Sequence, residues 1–309
     1  MILPRAALVE HARDTIARGS KSFAAASRLF DPVTRERAWL LYAWCRACDD
    51  LADGQDMGHG MQRLDDAPER IATIRARTAA ALAGEPTGDP AFDALGVVAA
   101  EVALPHGLIH DVIDGFQLDA DGWRPVREGD LYQYCYHVAG AVGGLMAGVM
   151  GVSPHDHDTL DRACDLGLAF QLANIARDVR EDAAAGRCYL PRDWLVELGI
   201  DPADVMADPA KVAVLARRMA ARAALHEASA RIGAARLPRR SAWAVLAAAD
   251  IYGGIARKVA AAGPAAWDRR QTTSKAEKLA AIARAYVAGR WRPAPERPRD
   301  PLLWTRPRG

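Results

Sequence analysis

Helical periodicity without any competing strand signal is what most restricts the fold of this 309-residue chain. Apolar residues recur at the spacing of an amphipathic helix face from about Ala6 to Arg28, Pro32 to Ala52, Ala67 to Ala83, Ala91 to Leu104, Pro105 to Ala120, Arg127 to Met150 and Asp156 to Ala184. The pattern resumes from Ala210 to Ala235, Arg239 to Ala262 and Ser274 to Gly289. No segment alternates apolar and polar residues as a half-buried strand does. Breakers separate the runs: Asp31-Pro32, Gly84-Glu85-Pro86, Ser153-Pro154, Gly186, Pro202, Leu237-Pro238 and Gly263-Pro264. Ala- and Leu-rich usage, with only 6% aromatic residues, suits helices packed on helices. Nothing resembles an interdomain linker, so the expectation is one all-α helical domain over residues 1–290.

Two of these runs carry acids at i, i+4 spacing: Asp49 and Asp53 in LYAWCRACDDLAD, and Asp178 and Asp182 in FQLANIARDVRED. Side chains four apart on a helix are neighbours, with Cβ atoms about 5–6 Å apart. Each pair therefore aims two carboxylates the same way, and like charges so placed repel. The flanking Leu40, Leu41, Trp44, Leu166, Leu168, Phe170, Leu172 and Ile175 make the setting apolar, which raises the cost. At about 100° per residue, Gln171, Asn174, Asp178 and Asp182 fall within about 80°, and Arg46, Asp49 and Asp53 within about 60°. A hard divalent cation such as Mg²⁺ takes one or two carboxylates and leaves room for water and phosphate oxygens. Two such helices facing each other would make a metal-diphosphate clamp. The alternative is a pair of solvated acidic faces.

Composition closes other routes. With 40 basic and 39 acidic residues the net charge is +1, and no global field favours nucleic acid. The five cysteines, Cys45, Cys48, Cys135, Cys164 and Cys188, lie mostly in helical patterns. Cys45 and Cys48 form a CxxC with no second CxxC and no preceding strand, so they read as small buried hydrophobes. No secretory signal is visible, and the expected setting is the reducing cytoplasm. The longest apolar stretch, Val138 to Val152, is too short to span a membrane. Its glycines point to a core helix in close backbone contact. His155 and His157 sit in a SPHDHD loop that capping and turn formation explain, His137 lies among apolar neighbours, and no GxSxG, P-loop, GxGxxG or HExxH occurs.

Basic groups that would complement a diphosphate are spread along the chain: Lys21 between Ser20 and Ser22, Arg46, Arg187 with Tyr189, and late Arg269 and Arg270 with Tyr252. Residues 54 to 65 and 184 to 190 follow the acidic pairs directly, as lids over a metal site or as ordinary surface loops. The segment RWRPAPERPRDPLLWTRPRG, with six arginines and two tryptophans, excludes a helix. Residues 291–309 read as a disordered solvated tail. Contact with anionic lipid is the alternative.

GSKSFAAASRLF (19 to 30), LYAWCRACDDLAD (41 to 53), YCYHVAGAVGGLMA (134 to 147), LDRACDLGLAFQLANIARDVREDAAAGRCYLP (160 to 191) and AWDRRQTTS (266 to 274) closely resemble bacterial phytoene synthases of the squalene/phytoene synthase family. The resemblance covers most of residues 15 to 290. It implies an all-α isoprenoid-synthase bundle with a central apolar cavity. By it, Asp49, Asp53, Asp178 and Asp182, helped by Asn174, would bind Mg²⁺ or Mn²⁺. Ser22, Arg46 and Arg177 would contact diphosphate, although Arg177 lies about 100° off the Asp178 stripe. Phe23, Tyr42, Tyr134, Val138, Ala139, Gly143, Gln171 and Leu172 would line the cavity, and Tyr252 would lie near the diphosphate. Tyr134 would have a catalytic part, aromatic faces being able to stabilise carbocations. The implied reaction joins two geranylgeranyl diphosphates head to head, through prephytoene diphosphate, to phytoene in carotenoid biosynthesis. No NADPH is expected. Peripheral contact with the inner face of a membrane, and with other carotenoid enzymes, would follow from an apolar product. A squalene or dehydrosqualene synthase using farnesyl diphosphate is the alternative, and a non-catalytic helical assembly factor a remote one.

Overall fold

The computed structural model describes residues 3–54, 66–290 and 297–308, the side chains of Lys21, Ser22, Asp53 and Arg290 excepted. The connection 54 to 65, a lid or a surface loop by sequence, thus lies, beyond Gly54, outside the described residues. Thirteen α-helices are described, with no strand among the described residues. They are α1 (Arg5–Gly19), α2 (Lys21–Ser27), α3 (Pro32–Asp53), α4 (Ala67–Leu82), α5 (Pro90–Glu101), α6 (His106–Ala120) and α7 (Glu128–Cys135). A π-helical segment, Tyr136–Gly140, leads into α8 (Ala141–Val149) and α9 (His157–Ala184). α10 (Arg192–Leu198), α11 (Pro209–Ala234), α12 (Arg239–Ala262) and α13 (Lys275–Arg290) complete the set, with 3₁₀ turns at Val205–Ala207 and Gly263–Trp267. No described helix is long and apolar enough to cross a membrane.

The chain forms two compact units, Met1–Asp121 with Leu145–Asp156, and Gly122–Gly144 with His157–Gly309. In the first, α3 is the core helix and packs on α1, α4 and α5. Its start is set by Asp31, whose carboxylate accepts from the backbone N–H groups of Val33 and Thr34 at 3.1 and 3.0 Å ahead of Pro32. Leu40, Leu41, Trp44 and Cys48 are buried, and the Trp44 indole donates to Thr78 at 3.2 Å. Gly54, in the left-handed region at φ 62°, ends the helix.

In the second unit α9 is central and packs on α11, α12 and the π segment. Glycines permit that last contact: a Cβ on Gly167 would stand 2.3 Å from the Ala139 carbonyl oxygen, and one on Gly143 would stand 2.4 Å from that of Ala163. α9 stops at a Schellman turn, in which Gly186 (φ 74°) donates to the Ala183 carbonyl at 3.0 Å and Arg187 to that of Asp182 at 2.8 Å.

Several expectations change. Ala6 to Arg28 is two helices, because Ser20 leaves helical geometry to cap α2, accepting from Phe23 N–H at 3.2 Å. Arg127 to Met150 is interrupted by the π segment, and α10 had no counterpart among the periodic runs. Residues 184 to 190 are a capped turn, tied down where Arg124 donates to the Gly186 carbonyl at 3.0 Å. The C-terminal segment departs furthest. Its described part, 297–308, is irregular chain bound to α9 instead of a solvated tail, since Arg299 and Arg306 neutralise carboxylates buried in α9.

Candidate active site

Both acidic pairs fall in the last turns of their helices, α3 ending at Asp53 and α9 two residues beyond Asp182. A helix C-terminus carries negative partial charge. The dipole therefore adds to the repulsion within each pair, and both ends call for a cation.

At the end of α3, Arg46 pairs with Asp49 and, at 3.2 Å, with Asp50. The kink at Gly19 and Ser20 brings α2 against this helix: Phe23 meets Tyr42 edge to face with ring centroids 5.6 Å apart. Gly19 leaves room for them, since a Cβ would stand 2.5 Å from the Tyr42 hydroxyl and 3.3 Å from Arg46 and push these side chains aside. Tyr42, Phe23, Arg46 and Asp49 are thus brought together. The side chains of Ser22 and Asp53 lie outside those described.

On α9, Asn174 donates to Gln171 at 3.4 Å, one turn before Asp178. Arg177 reaches Asp178 directly, Nε donating to Oδ1 at 2.7 Å. Burial pulls the Arg177 pKa down, but its bond to Asp178 outweighs this and holds it above the ordinary value. The side chain is long enough to reach the Asp178 carboxylate across the offset of about 100°. Arg270 donates to the Asp178 carboxylate at 3.0 Å and lies 3.6 Å from Glu181. Tyr252 stacks on Phe170 with centroids 4.2 Å apart. Burial pushes its phenol up, and the Arg177 charge pulls the other way. Leu172 is 1% exposed and belongs to the packed core of α9.

Tyr134, buried on α7, is the middle ring of a stack, with Trp123 at 5.5 Å and Tyr189 at 4.7 Å. Trp123 carried no signal in the sequence. Val138 and Ala139 lie in the π segment and are partly exposed, as is Gly143. Arg270 stood out in sequence only as one of several late basic residues.

The donor set suits a hard cation. Asp49, Asp178, Asp182 and Asn174 offer only oxygen among their metal-binding atoms, too few in either cluster to fill a coordination sphere, which leaves places for water and phosphate oxygens. The arginines at Asp49 and Asp178 supply the positive charge in the structure and are suited to bidentate contact with phosphate.

These sites sit on a known architecture. A crystal structure of a dehydrosqualene synthase in complex with a ligand matches with a TM-score of 0.81 at 24% identity, covering 92% of this chain and 96% of that one. The fold is that of the all-α isoprenoid synthases. The squalene/phytoene synthase profile matches residues 16–277, and the chain belongs to that family. Its relatives include a phytoene synthase of Pseudescherichia vulneris, 47% identical over 309 residues, with 97% of this chain and 98% of that protein covered. A 15-cis-phytoene synthase of Pantoea ananas is 44% identical over 307 residues, with 97% and 98% covered.

Proposed function

We propose that this protein is a prenyltransferase that condenses two geranylgeranyl diphosphates through prephytoene diphosphate to phytoene, with Mg²⁺ or Mn²⁺ and without NADPH. The observation that carries the reading is the α9 stripe, oxygen donors at Asn174, Asp178 and Asp182 beside the guanidinium groups of Arg177 and Arg270. It would hold a diphosphate, in a chain resembling phytoene synthases along nearly its whole length.

Divalent ions bound at Asp49 and Asp53, and at Asn174, Asp178 and Asp182, would neutralise the charge that develops on the departing diphosphate. Arg46 beside Asp49, and Arg177 and Arg270 beside Asp178, would add donors to diphosphate oxygens at their own pairs, exchanging a carboxylate for the substrate. The allylic cation must meet the double bond of the second substrate before it meets water, which requires dry walls that position both chains. The Phe23–Tyr42 pair would offer aromatic surface for this, whereas both faces of Tyr134 are covered by Trp123 and Tyr189. Addition of the cation to the double bond and loss of one proton, taken up by the released diphosphate, close the ring and form a cyclopropylcarbinyl diphosphate. The second ionisation, rearrangement and loss of a proton release the other. Burial raises the Tyr252 phenol above its ordinary value, so its O–H would serve as a donor to the diphosphate, and the departing diphosphate would be the proton acceptor.

Purified protein is incubated with Mg²⁺ and separately with fifteen- and twenty-carbon diphosphates, in the presence of lipid vesicles, and products are identified by mass spectrometry. The expected result is phytoene from the twenty-carbon donor without nicotinamide. It is recovered in the floated vesicle fraction together with enzyme, since the hydrocarbon has no polar group to hold it in water. A product that forms only with NADPH, or far faster turnover of the fifteen-carbon donor, overturns the assignment. Enzyme absent from the floated fraction overturns the membrane contact alone.

A further inference from the structure

The reaction as derived makes no use of two carboxylates buried in the first half of α9. Asp161 and Asp165 are 4% and 1% exposed, a depth at which an unpaired carboxylate is strongly disfavoured. Their counter-charges come from the far end of the chain. Arg299 grips Asp165 with two donors, Nε at 2.8 Å and Nη2 at 2.7 Å. Arg306 and Arg308 each donate to Asp161 at 2.8 Å. α11 joins the cluster, with His226 Nδ1 2.8 Å from Asp165 and the Ser229 hydroxyl donating to it at 2.6 Å. The contact runs both ways, since the buried Arg162 donates to the Arg297 carbonyl at 2.6 Å. Leu303 is buried, and Trp304 packs on Tyr136 of the π segment with centroids 5.4 Å apart.

One segment therefore holds α9 by ion pairs and reaches the π segment by a ring contact. On a helical wheel Asp161 and Asp165 lie about a third of a turn from the mean direction of Gln171, Asn174, Asp178 and Asp182. Ala163 and Gly167, the points where the π segment and α8 approach most closely, lie on the stripe's side of α9. A force applied at the Asp161–Asp165 face thus sets how α9 seats on the π segment and where its stripe points.

We propose that residues 297–308 are a strap that fixes α9 and the π segment in their working arrangement, with Arg299 and Arg306 as positioning residues. The inference rests on the prenyltransferase reading above. Bidentate pairing by Arg299 is specific in geometry, so charge alone does not replace it.

The test compares wild type, Arg299→Met, Arg299→Lys and the double variant Asp165→Asn/Arg299→Met. It reads kcat and KM for geranylgeranyl diphosphate, thermal stability, and hydrogen exchange of the Tyr136–Gly140 amides. Arg299→Met is expected to speed that exchange and lower kcat/KM at least tenfold, and Arg299→Lys to recover only part of both. In the double variant no unpaired charge remains, so thermal stability returns while fast exchange and low kcat/KM persist. Activity that returns together with stability in the double variant means the strap only satisfies a buried charge, and the proposal is wrong. Unchanged exchange in Arg299→Met overturns it too. If Arg299→Met does not fold, Arg306→Gln carries the same comparison, because Arg308 still neutralises Asp161. A wild-type protein that makes no phytoene refutes the functional reading, whereas the exchange measurement still decides whether the strap holds the π segment.

Discussion

Asp178 lies between Arg177 and Arg270, with a side chain 17% exposed. Its carboxylate answers two guanidinium groups in the structure and would answer a metal ion in catalysis, so its charge matters more than its shape. Asp178→Asn keeps the volume and one acceptor oxygen. The variant should fold, and its phytoene formation, followed by mass spectrometry, should fall by roughly 10²–10³-fold, the scale of losing one electrostatic group at a reacting centre. Chelation of wild type should give a comparable, reversible loss, and near-normal turnover in either case would sink the metal role of this residue. The carboxylate pairs were legible from spacing because i, i+4 neighbours are a local property of a helix. Arg270 was not assignable to Asp178, being 92 residues away in sequence, a proximity that only the fold creates. Trp123 was missed for the same reason, lying outside every periodic run.

At the scale of elements, helices were readable wherever an apolar stripe persisted over several turns. A π segment of five residues shifts that stripe too briefly to be seen, and Ser20 ends one helix inside a pattern that otherwise continues. The glycines of the π segment and α9 were legible as a sign of close packing, and they can be tested as such. Gly167→Ala puts a methyl group 2.3 Å from a backbone oxygen, Ala139 O, that no rotamer change can move. Urea unfolding should show a loss of about 1–3 kcal/mol or more, as for other overpacked sites. Gly107→Ala and Gly129→Ala, in α6 and α7 with nothing within 4 Å of the new Cβ, should be neutral or stabilising by up to about 1 kcal/mol. Equal effects at crowded and open positions would show that the close approach of α9 to the π segment carries no weight.

For the whole molecule, a net charge of +1 leaves little self-repulsion near neutrality, so the pH dependence of stability follows from particular buried groups. Asp31 is held low by the Thr34 hydroxyl and backbone N–H groups, and Glu101 by Arg5 and Arg37. In Asp158 and Asp165 burial pushes the carboxyl up, but Arg162 and Arg236 on the first, and Arg299 and His226 on the second, pull it lower still. A carboxylate whose folded pKa is depressed gives stability above its unfolded value, near 4, and loses it as pH falls further. The thiols work in the other direction. Burial pushes Cys45 and Cys164 up to about 12, and raises Cys48 and Cys135 as well. A group with a raised folded pKa contributes fully below its unfolded value, about 8.5 for a thiol, and that contribution declines as pH climbs from there towards the folded value. The melting temperature should therefore hold level from about pH 5 to 8 and fall on both sides, and the alkaline fall should shrink when Cys164 is replaced by Ala in a chain otherwise unchanged. Iodoacetamide at pH 8.5 should label the buried Cys48, Cys135 and Cys164 slowly in the native protein and readily in urea, since the thiolate is the nucleophile, and Cys45, which is only half-buried, faster than these three. Rapid native labelling of Cys48, or a melting temperature that stays flat from pH 8 to 10, would mean that the thiols titrate freely; of the CxxC pair read as buried hydrophobes, Cys48 is buried and Cys45 only half-buried.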